Sequence, residues 1–337
     1  MDNRIQLIKK SPTVEVMTEE DMNKLFDTKK CPVSYIGLAT TGPVHIGYMI
    51  PLTKLIHFEK AGIRNKILLA DVHSALDDLK TGWDELEKKA EYYKKCIELA
   101  FPWEKKPEFV KGSSFQFSDK YIHDVFKLAT LTTVTRATRA ASEVTRMKNP
   151  KVSELIYPIM QALDEEYLGA DIQLGGIDQR HILAFAREIL PAVGYKPRVE
   201  VMTRLIVSLK GPGVKMSASI PESSIKVYES EENIIKKING AYCLAGIVKD
   251  NPILQITEDV IFTLNNKLKI ERDKKFGGDI EFSNYKELEE AFVKKELHPS
   301  DLKKAVAKSL VTIFKNARTY FDKHRDVLQE LGPNFLP

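Results

Sequence analysis

The 337-residue chain has few cysteines and no long apolar run. Its three cysteines, Cys31, Cys96 and Cys243, are widely separated and form no CxxC pair, so they indicate neither a disulfide framework nor a zinc site. No stretch approaches the roughly 18 consecutive apolar residues that a membrane-spanning helix requires. The opening "MDNRIQLIKKSP" also lacks the apolar core of a signal peptide. We therefore expect a cytoplasmic protein without a membrane partner.

The sequence also lacks a strong charge of one sign. Its formal net charge is +4, which permits an anionic partner without requiring one. Apolar residues make up 43% and charged residues 29%, proportions that separate this chain from disordered proteins. We find no internal repeat and no low-complexity segment. A chain of this length is expected to form two domains.

Short apolar strands alternate with helices over the first two thirds of the chain. Residues 33–38 and "KILLADV" at 66–72 are predicted strands, and the segment between them has helical periodicity and ends at Gly62 as a C-cap. The helix "WDELEKKAEYYKKCIELAF" then leads to "PEFVKGSSFQF". The strand "ADIQLGG" and the helix "IDQRHILAFAREILP" complete the predicted sheet. This alternation predicts an α/β fold with a Rossmann-type parallel sheet.

The character of the sequence changes near residue 228. Beyond it, lysine-rich helical segments follow one another without obvious parallel strands. We predict an α/β domain over residues 1–228 and a helical domain over residues 229–337. Within the first domain, residues 119–150 are a predicted helical insertion that ends with a basic group: Arg136, Arg139, Arg146 and Lys148. That group could bind a polyanion or could equally be a solvated helix face.

Two separate segments have the composition of a phosphate site. The first is the turn at 39–44, which lies after a predicted strand, where parallel sheets bind ligands, and which leads to His45 at a helix start. The second is the loop "GPGVKMSAS", in which Lys215 would supply a mobile cation. Taken singly, a histidine at a helix start is more often structural, and a glycine-rich loop with one lysine is usually only a loop.

A third group lies on a predicted helix. Tyr157, Gln161 and Asp164 are spaced at i, i+4 and i+7 and therefore share one face, with Pro158 expected in the first turn. These polar residues stand among apolar neighbours. They could face water or converge on a small polar ligand.

Together these segments resemble one enzyme family. "PVHIG" and "KMSAS" resemble the two signature motifs of class I aminoacyl-tRNA synthetases, His-Ile-Gly-His and Lys-Met-Ser-Lys-Ser. The pattern departs at Tyr48 and Ala218, which replace a histidine and a lysine. "YPIMQALDEEYLGADIQLGGIDQR" further resembles the tyrosine-binding helix of tyrosyl-tRNA synthetases. The resemblance extends from "YIGLATTGPVHIGY" to "LHPSDLKKAV" and is closest to archaeal and eukaryotic cytosolic members.

The resemblance implies a catalytic Rossmann-type domain and a C-terminal α-helical anticodon-binding domain. It implies that the carboxylate of L-tyrosine attacks the α-phosphate of ATP, giving tyrosyl-adenylate and pyrophosphate. The tyrosyl group then passes to the terminal ribose of tRNA(Tyr). Mg²⁺ would accompany ATP, no protein metal site is expected, and the active form would be a homodimer with an interface or acceptor-end contact in the insertion.

The resemblance also assigns an amino-acid pocket. Tyr35 and Asp164 would bind the substrate phenol, and the remaining pocket residues would be Tyr157, Gln161, Gln179, Leu68, His73, Phe115 and Gln116. A site that buries partners for a hydroxyl strongly rejects an analogue without it, a rule for which tyrosyl-tRNA synthetases are themselves the reference example. His73 and Phe115 could equally be core residues.

Nucleotide and RNA contacts follow from the same resemblance. The catalytic residues would be His45, Lys215, Ser217 and Ser219. ATP would be bound by Gly37, Thr40, Thr41, Gly42, His45, Gly47, Tyr48, Lys215 and Met216. The tRNA would contact Arg136, Arg139, Arg180, Phe276, His298 and Asp301. Two alternatives are a tryptophanyl-tRNA synthetase, disfavoured by Tyr35 with Asp164, and a noncatalytic RNA-binding relative, disfavoured by His45 with Lys215.

Overall fold

The computed structural model of the protein describes residues 2–77, 79–142, 150–213, 216 and 220–337. The chain divides into two compact units. The first unit comprises Met1–Thr41, Lys54–Lys94 and Lys105–Arg204, and the second comprises Gly42–Thr53, Lys95–Glu104 and Leu205–Pro337. The functional domain boundary near residue 228 stays a prediction.

A six-stranded sheet forms the centre of the first unit. Its strands are β1 (Thr13–Met17), β2 (Val33–Ala39), β3 (Arg64–Ala70), β4 (Glu108–Lys111), β5 (Ile172–Gly176) and β6 (Val199–Thr203). Their spatial order is β1-β6-β5-β2-β3-β4. From β2 the chain proceeds outward to β3 and β4, then returns to the other side of β2 as β5. The carboxyl ends of β2 and β5 therefore flank the point at which the strand order reverses, where α/β proteins bind ligands.

The predicted α/β class and parallel sheet are confirmed, with one addition. Strands β2 to β6 pair in parallel, whereas β1 pairs with β6 in antiparallel orientation. Neither β1 nor β6 was predicted from the sequence. The first is a short edge strand, and the second carries a charged residue, Glu200, inside a fully buried run.

Helices cover the sheet and connect its strands. Up to residue 189 they are α1 (Asn3–Lys9), α2 (Glu19–Thr28), α3 (Met49–Lys60), α4 (Asp71–Leu76), α5 (Leu86–Ala100), α6 (Asp119–Leu131), α7 (Val134–Ala141), α8 (Val152–Tyr167) and α9 (Arg180–Ile189). Gly62 follows α3 with a φ of +79°, the left-handed conformation expected of a C-cap glycine.

Three local expectations need correction. The strand predicted to reach residue 72 ends at Ala70, because Asp71 begins α4 and its carboxylate accepts the Val72 N–H at 2.9 Å. Pro158 lies in the interior of α8 and not in its first turn, since that helix begins six residues earlier at Val152. The predicted insertion helix is two helices, and Thr133 caps the second by accepting the Arg136 N–H at 3.3 Å. Arg146 and Lys148 lie outside the described residues.

Helix α8 is the main packing element of the first unit. Its apolar side chains join residues of α6 and α9 in one buried cluster that includes Ile159, Met160, Leu163, Tyr121 and Phe185. Packing on both sides fixes the rotation of α8 about its axis. The polar residues of α8 are consequently held in a defined direction within the first unit.

The second unit is mainly helical, as expected. Its helices are α10 (Glu231–Gly240), α11 (Pro252–Ile256), α12 (Phe262–Leu264), α13 (Tyr285–Val293), α14 (Pro299–Ile313), α15 (Lys315–Lys323) and α16 (Arg325–Leu331). A short antiparallel pair, β7 (Leu268–Ile270) and β8 (Ile280–Phe282), interrupts them. Within the described part of the chain, no helix is long and apolar enough to cross a membrane.

Candidate active site

A buried cluster of polar side chains, which we call the pocket, lies between the sheet and α8 of the first unit. Tyr35 on β2 is fully buried, and its hydroxyl donates to the Gln161 carbonyl on α8 at 3.3 Å. Leu68 on β3 packs in the same small cluster as Tyr35, and Phe115 borders it. The sheet thus supplies the floor of the pocket and α8 supplies a wall.

Asp164 is the centre of a hydrogen-bond network. Its Oδ1 accepts from Gln116 Nε2 and from the Tyr121 hydroxyl, each at 2.8 Å. Its Oδ2 makes no hydrogen bond within the described residues and lies 3.6 Å from His73 Nε2. Asp164 is 1% exposed. One carboxyl oxygen is therefore fixed by the protein, and the other is buried without a hydrogen bond among the described residues.

Burial sets the protonation of this network. It raises the pKa of Asp164 to about 8, a shift that the hydrogen bonds from Gln116 and Tyr121 oppose. Burial also lowers the pKa of His73 to about 4, so this ring is neutral at pH 7. Gln116 Nε2 lies 3.4 Å from His73 Nδ1, which makes Nδ1 the acceptor and leaves the ring proton on Nε2. At neutral pH the pocket offers hydrogen bonds with little charge.

The other predicted pocket residues are joined to this network. The rings of His73 and Tyr157 meet edge to face, with centroids 4.7 Å apart. Gln161 Nε2 donates to Gln179 Oε1 at 3.2 Å, which links α8 to the segment after β5. The first unit therefore brings together all nine residues predicted for the amino acid: Tyr35, Leu68, His73, Phe115, Gln116, Tyr157, Gln161, Asp164 and Gln179.

Two supporting residues were missed from the sequence. Tyr121 was visible only as one position of an amphipathic helix, and nothing in that spacing indicated its bond to Asp164. Gly112 lies beside the pocket, where a Cβ atom would come within 2.5 Å of Gln116 Oε1 and 2.8 Å of Asp71 Oδ1. A larger residue at this position would force the Gln116 and Asp71 side chains to shift. Neither residue carries a motif signal.

A second set of buried acids lies on the same face of the sheet as Tyr35. Tyr35, Gln173 and Glu200 are register neighbours on β2, β5 and β6. Glu200 and Glu165 on α8 are fully buried, and neither carboxyl makes a hydrogen bond within the described residues. Burial raises the pKa of both groups, that of Glu165 to about 8, although Arg187 and Arg198 oppose the shift. At least one of the two carboxyls is therefore protonated at neutral pH.

The predicted histidine turn lies in the second unit. His45 caps the short helical turn Ile46–Tyr48, and its Nδ1 accepts the Gly47 N–H at 3.0 Å. A Cβ atom at residue 47 would lie 2.6 Å from His45 Cε1, so the turn requires glycine there. The Tyr48 ring packs against His45 with centroids 5.1 Å apart. The Sδ atom of Met216 lies 3.4 Å from the same Cβ position of Gly47.

His45 is neutral at physiological pH. Although part of its surface is exposed, burial lowers its pKa to about 4. Because Nδ1 accepts a hydrogen bond, the ring proton is on Nε2. The turn therefore presents a neutral N–H donor. The Gly47 N–H is already bonded to the ring.

The remaining residues predicted for ATP divide between the two units. Thr40 is buried in the first unit, where its N–H donates to Ser74 Oγ at 2.6 Å and its carbonyl accepts from Thr81 Oγ1 at 2.9 Å. Gly37 and Thr41 belong to the same unit, whereas Gly42 belongs to the second. Lys215, Ser217 and Ser219 lie outside the described residues.

The residues predicted to contact RNA lie at the surface. In the first unit Arg136 pairs with Glu188 at 2.7 Å, Arg180 pairs with Glu15 at 3.0 Å, and Arg139 is exposed.

In the second unit Phe276 is 63% exposed, and Lys275 Nζ lies 4.9 Å from the centre of its ring. His298 caps α14, and Asp301 occupies the first turn of that helix. The surface of this unit thus presents an aromatic face on one element and hydrogen-bonding groups on another.

Comparison with known families now defines the class of protein. The family model described as tRNA synthetases class I (W and Y) matches residues 28–315. The chain belongs to this family and is an aminoacyl-tRNA ligase.

Two relatives within the family are named for the same amino acid, tyrosine. The tyrosine-tRNA ligase of Archaeoglobus fulgidus is 44% identical over 305 residues, which cover 90% of this chain and 93% of that protein. The cytoplasmic tyrosine-tRNA ligase of Danio rerio is 37% identical over 327 residues, which cover 95% of this chain and 61% of that protein. The resemblance inferred from the motifs, to archaeal and eukaryotic tyrosyl-tRNA synthetases, is confirmed.

A solved structure is similar over nearly the whole chain. It is the crystal structure of tyrosyl-tRNA synthetase complexed with L-tyrosine from Archaeoglobus fulgidus, with a TM-score of 0.89 and 42% sequence identity. The match covers 94% of this chain and 98% of that one. The expected fold class is confirmed.

Proposed function

We propose that this protein attaches L-tyrosine to tRNA(Tyr) in two steps driven by ATP. In the first step the carboxylate of tyrosine attacks the α-phosphate of ATP, forming tyrosyl-adenylate and releasing pyrophosphate. In the second step a ribose hydroxyl at the end of the tRNA attacks the carbonyl of the adenylate, and AMP leaves. The names of the relatives support tyrosine as the amino acid.

The observation that carries the choice of tyrosine is the free oxygen of Asp164. This buried Oδ2 makes no hydrogen bond in the described part of the chain, and the Tyr35 hydroxyl belongs to the same pocket. A phenol would satisfy both groups. Phenylalanine would leave Oδ2 of Asp164 buried without a partner, which costs about 1–3 kcal/mol, while the Tyr35 hydroxyl would keep its bond to the Gln161 carbonyl. An indole N–H can donate to Oδ2 but, unlike a phenol, cannot also accept a hydrogen bond.

We assign the amino and carboxyl end of the substrate to the other end of α8. Tyr157, Gln161 and Gln179 supply hydroxyl and amide groups that can bond a substrate ammonium group. The bond between Gln161 and Gln179 orients both amides before the substrate arrives. Leu68, His73, Phe115 and Gln116 then enclose the substrate ring.

The activation step needs charge stabilisation and no general base. The substrate carboxylate is already ionised at pH 7, so positioning and stabilisation of the pentavalent phosphorus are sufficient. We assign the Nε2–H of His45 to a phosphate oxygen of ATP. We assign Lys215, Ser217 and Ser219 to the leaving pyrophosphate, and Gly37, Thr40, Thr41, Gly42, Gly47, Tyr48 and Met216 to the nucleotide. Mg²⁺ enters with ATP and neutralises phosphate charge.

We assign the tRNA to both units. Arg136, Arg139 and Arg180 would bind phosphates near the acceptor end. The helical residues 229–337 would bind the anticodon, with Phe276 stacking on its first base and His298 and Asp301 reading the base edge. Residues 1–228 would then form the catalytic domain. The surface exposure of Phe276 supports this role.

We also propose a cytoplasmic homodimer. Helices α6 and α7 expose three apolar side chains that a monomer would leave in water: Phe126, Leu131 and Val134, which are 65%, 50% and 67% exposed. A second copy of the chain would cover them. Light scattering of the protein and of Phe126→Lys tests this, since a dimer predicts that the charged variant dissociates.

Pyrophosphate exchange tests the proposed function. The purified protein should incorporate labelled pyrophosphate into ATP when L-tyrosine is added, but not with L-tryptophan or L-phenylalanine at equal concentration. Exchange with tryptophan alone would identify a tryptophanyl enzyme. Absence of exchange with every amino acid would identify a noncatalytic relative.

A further inference from the structure

The backbone of residues 225–227 fixes the position of the His45 turn within the second unit. The Ile46 N–H donates to the Ile225 carbonyl at 2.8 Å, and the Val227 N–H donates to the Val44 carbonyl at 3.1 Å. His45 and Lys226 form an antiparallel bridge. Any displacement of residues 225–227 would therefore move His45.

Two side chains attach this segment to residues 332–336. Lys226 Nζ donates to the Leu336 carbonyl, and the Tyr228 hydroxyl donates to the Phe335 carbonyl at 2.8 Å. Tyr228 is 1% exposed and Phe335 is 5% exposed, so the second bond is shielded from water. Lys226 thus joins two parts of the chain. Its backbone pairs with His45, and its side chain bonds residues 332–336.

The 332–336 segment is only partly supported by packing. A cavity of about 620 Å³ lies beside it and is lined by Pro333, Asn334, Leu336, Lys226 and Lys237, among others. Close packing therefore does not determine the position of Leu336 on that side. Its bond from Lys226 supplies the constraint that packing does not.

A buried charged residue also holds residues 225–227. Glu229 accepts the Lys226 N–H at 3.1 Å, and its other carboxyl oxygen pairs with Lys237 at 2.5 Å. Glu229 is only 3% exposed. The backbone N–H of Lys226 is thus bonded to Glu229, and the side chains of Lys226 and Tyr228 supply the bonds to residues 332–336.

We propose that residues 332–336 position His45 for the nucleotide, acting through Lys226 and Tyr228. This inference rests on the proposed assignment of His45 to ATP and extends it to a distant part of the sequence. Lys226 and Tyr228 are positioning residues, because they act through the 225–227 backbone and need not touch the nucleotide. Loss of their bonds should weaken ATP binding and leave tyrosine binding unchanged, because the tyrosine residues belong to the first unit.

The test uses Tyr228→Phe, Lys226→Met and the double variant in the full-length protein. Tyr320→Phe is the matched control, since both tyrosine rings contact Phe321 and Tyr320 lies on α15. In pyrophosphate exchange we expect the KM for ATP to rise at least threefold in each single variant and further in the double variant. The KM for tyrosine should stay within twofold, and the control should match the unsubstituted protein.

Amide hydrogen exchange supplies a second readout of the same link. The amides of Ile46 and Val227 should exchange faster in Tyr228→Phe than in Tyr320→Phe. An unchanged KM for ATP in the folded double variant would overturn the proposal, and so would an equal rise in both KM values. Failure of the unsubstituted protein to exchange pyrophosphate would instead refute the proposed function.

Discussion

The proposed tyrosine pocket and the His45 turn each contain a histidine whose pKa burial lowers to about 4, yet they hold it differently. His73 is placed by side chains from distant parts of the sequence, namely Gln116, Tyr157 and Asp164. His45 is placed by backbone groups, chiefly the Gly47 N–H two residues away. In both rings the proton is on Nε2. Similar protonation thus arises from a long-range network in one unit and from a local turn in the other.

This difference predicts separable defects. Substitution in the pocket should remove acceptors on which several other side chains depend, so its effects should be large and specific to the amino acid. Substitution at His45 should remove the Nε2–H donor and the acceptor of the Gly47 N–H, while Val44 and Ile46 keep the backbone of the turn paired with the 225–227 segment. Its effect should be confined to ATP chemistry.

The largest effect is expected for Asp164→Ala. This change removes the acceptor of Gln116 and Tyr121 as well as the proposed partner of the substrate phenol, and each unsatisfied buried group costs about 1–3 kcal/mol. We expect kcat/KM for tyrosine in pyrophosphate exchange to fall about 100-fold or more, with loss of selectivity over phenylalanine.

Asp124→Ala is the matched control for that experiment. Asp124 is also a buried aspartate of the first unit that accepts from two tyrosine hydroxyls, those of Tyr167 and Tyr195. The Asp124→Ala protein should lose about as much stability as Asp164→Ala but keep its selectivity for tyrosine over phenylalanine. Unchanged selectivity in Asp164→Ala would remove that residue from the phenol site.

A smaller effect is expected for His45→Ala. Loss of one preorganised donor typically lowers kcat by about 100-fold, and we expect a fall of about 10- to 100-fold in exchange with His123→Ala as an exposed control. Because the pKa of His45 is lowered to about 4, its N–H donor is present throughout pH 6–9. The ratio of unsubstituted to His45→Ala rates should therefore be constant over that range. A ratio that falls as pH rises through 6.5 would show that the donor is a charged imidazolium.

The proposed tRNA surface of the second unit provides a milder test. Phe276→Ala should raise the KM for tRNA about tenfold, since stacking one base contributes about 1–3 kcal/mol. Pyrophosphate exchange should not change. Phe117→Ala is the control, because Phe117 is similarly exposed, at 56%, and belongs to the first unit. Equal effects of the two substitutions would argue against stacking by Phe276.

The smallest functional effect is expected for the buried acids. The pKa of Glu165 is raised, so its contribution to stability is present below about pH 4.5 and is lost as pH rises towards 8. Glu165→Gln should flatten the fall in the free energy of unfolding between pH 5 and pH 8, by up to about 1.4 kcal/mol per pH unit. Urea denaturation at the two pH values measures this, with Glu166→Gln as the neighbouring control. An identical slope in both variants would show that Glu165 is already charged.

Local features of the fold could be predicted from the sequence, and distant contacts could not. The strand-helix-strand alternation, the shared face of Tyr157, Gln161 and Asp164, and the turn at His45 follow from periodicity and backbone hydrogen bonding within a few residues. The bonds from Gln116 and Tyr121 to Asp164 join residues more than 40 positions apart. Such contacts depend on how α6 and α8 pack, and no short pattern encodes that.

The start of α8 could not be predicted from the sequence for the same reason. Pro158 suggested a helix start because a proline is favoured in a first turn. In the structure α8 begins at Val152, and Lys151 and Glu154 satisfy its first backbone groups. Burial of α8 against two neighbouring helices outweighs the loss of one backbone hydrogen bond at Pro158. The position of this boundary therefore depends on tertiary packing, which cannot be read from a local sequence pattern.

Equilibrium binding of L-tyrosine without ATP, measured by calorimetry on Asp164→Ala and His45→Ala, tests the separation of the two regions. Tyrosine affinity should fall at least about 100-fold in Asp164→Ala, the loss expected of unsatisfied buried groups, and should match the unsubstituted protein in His45→Ala. Equal loss of tyrosine affinity in both variants would contradict the assignment of amino-acid recognition to the pocket and of ATP chemistry to the turn.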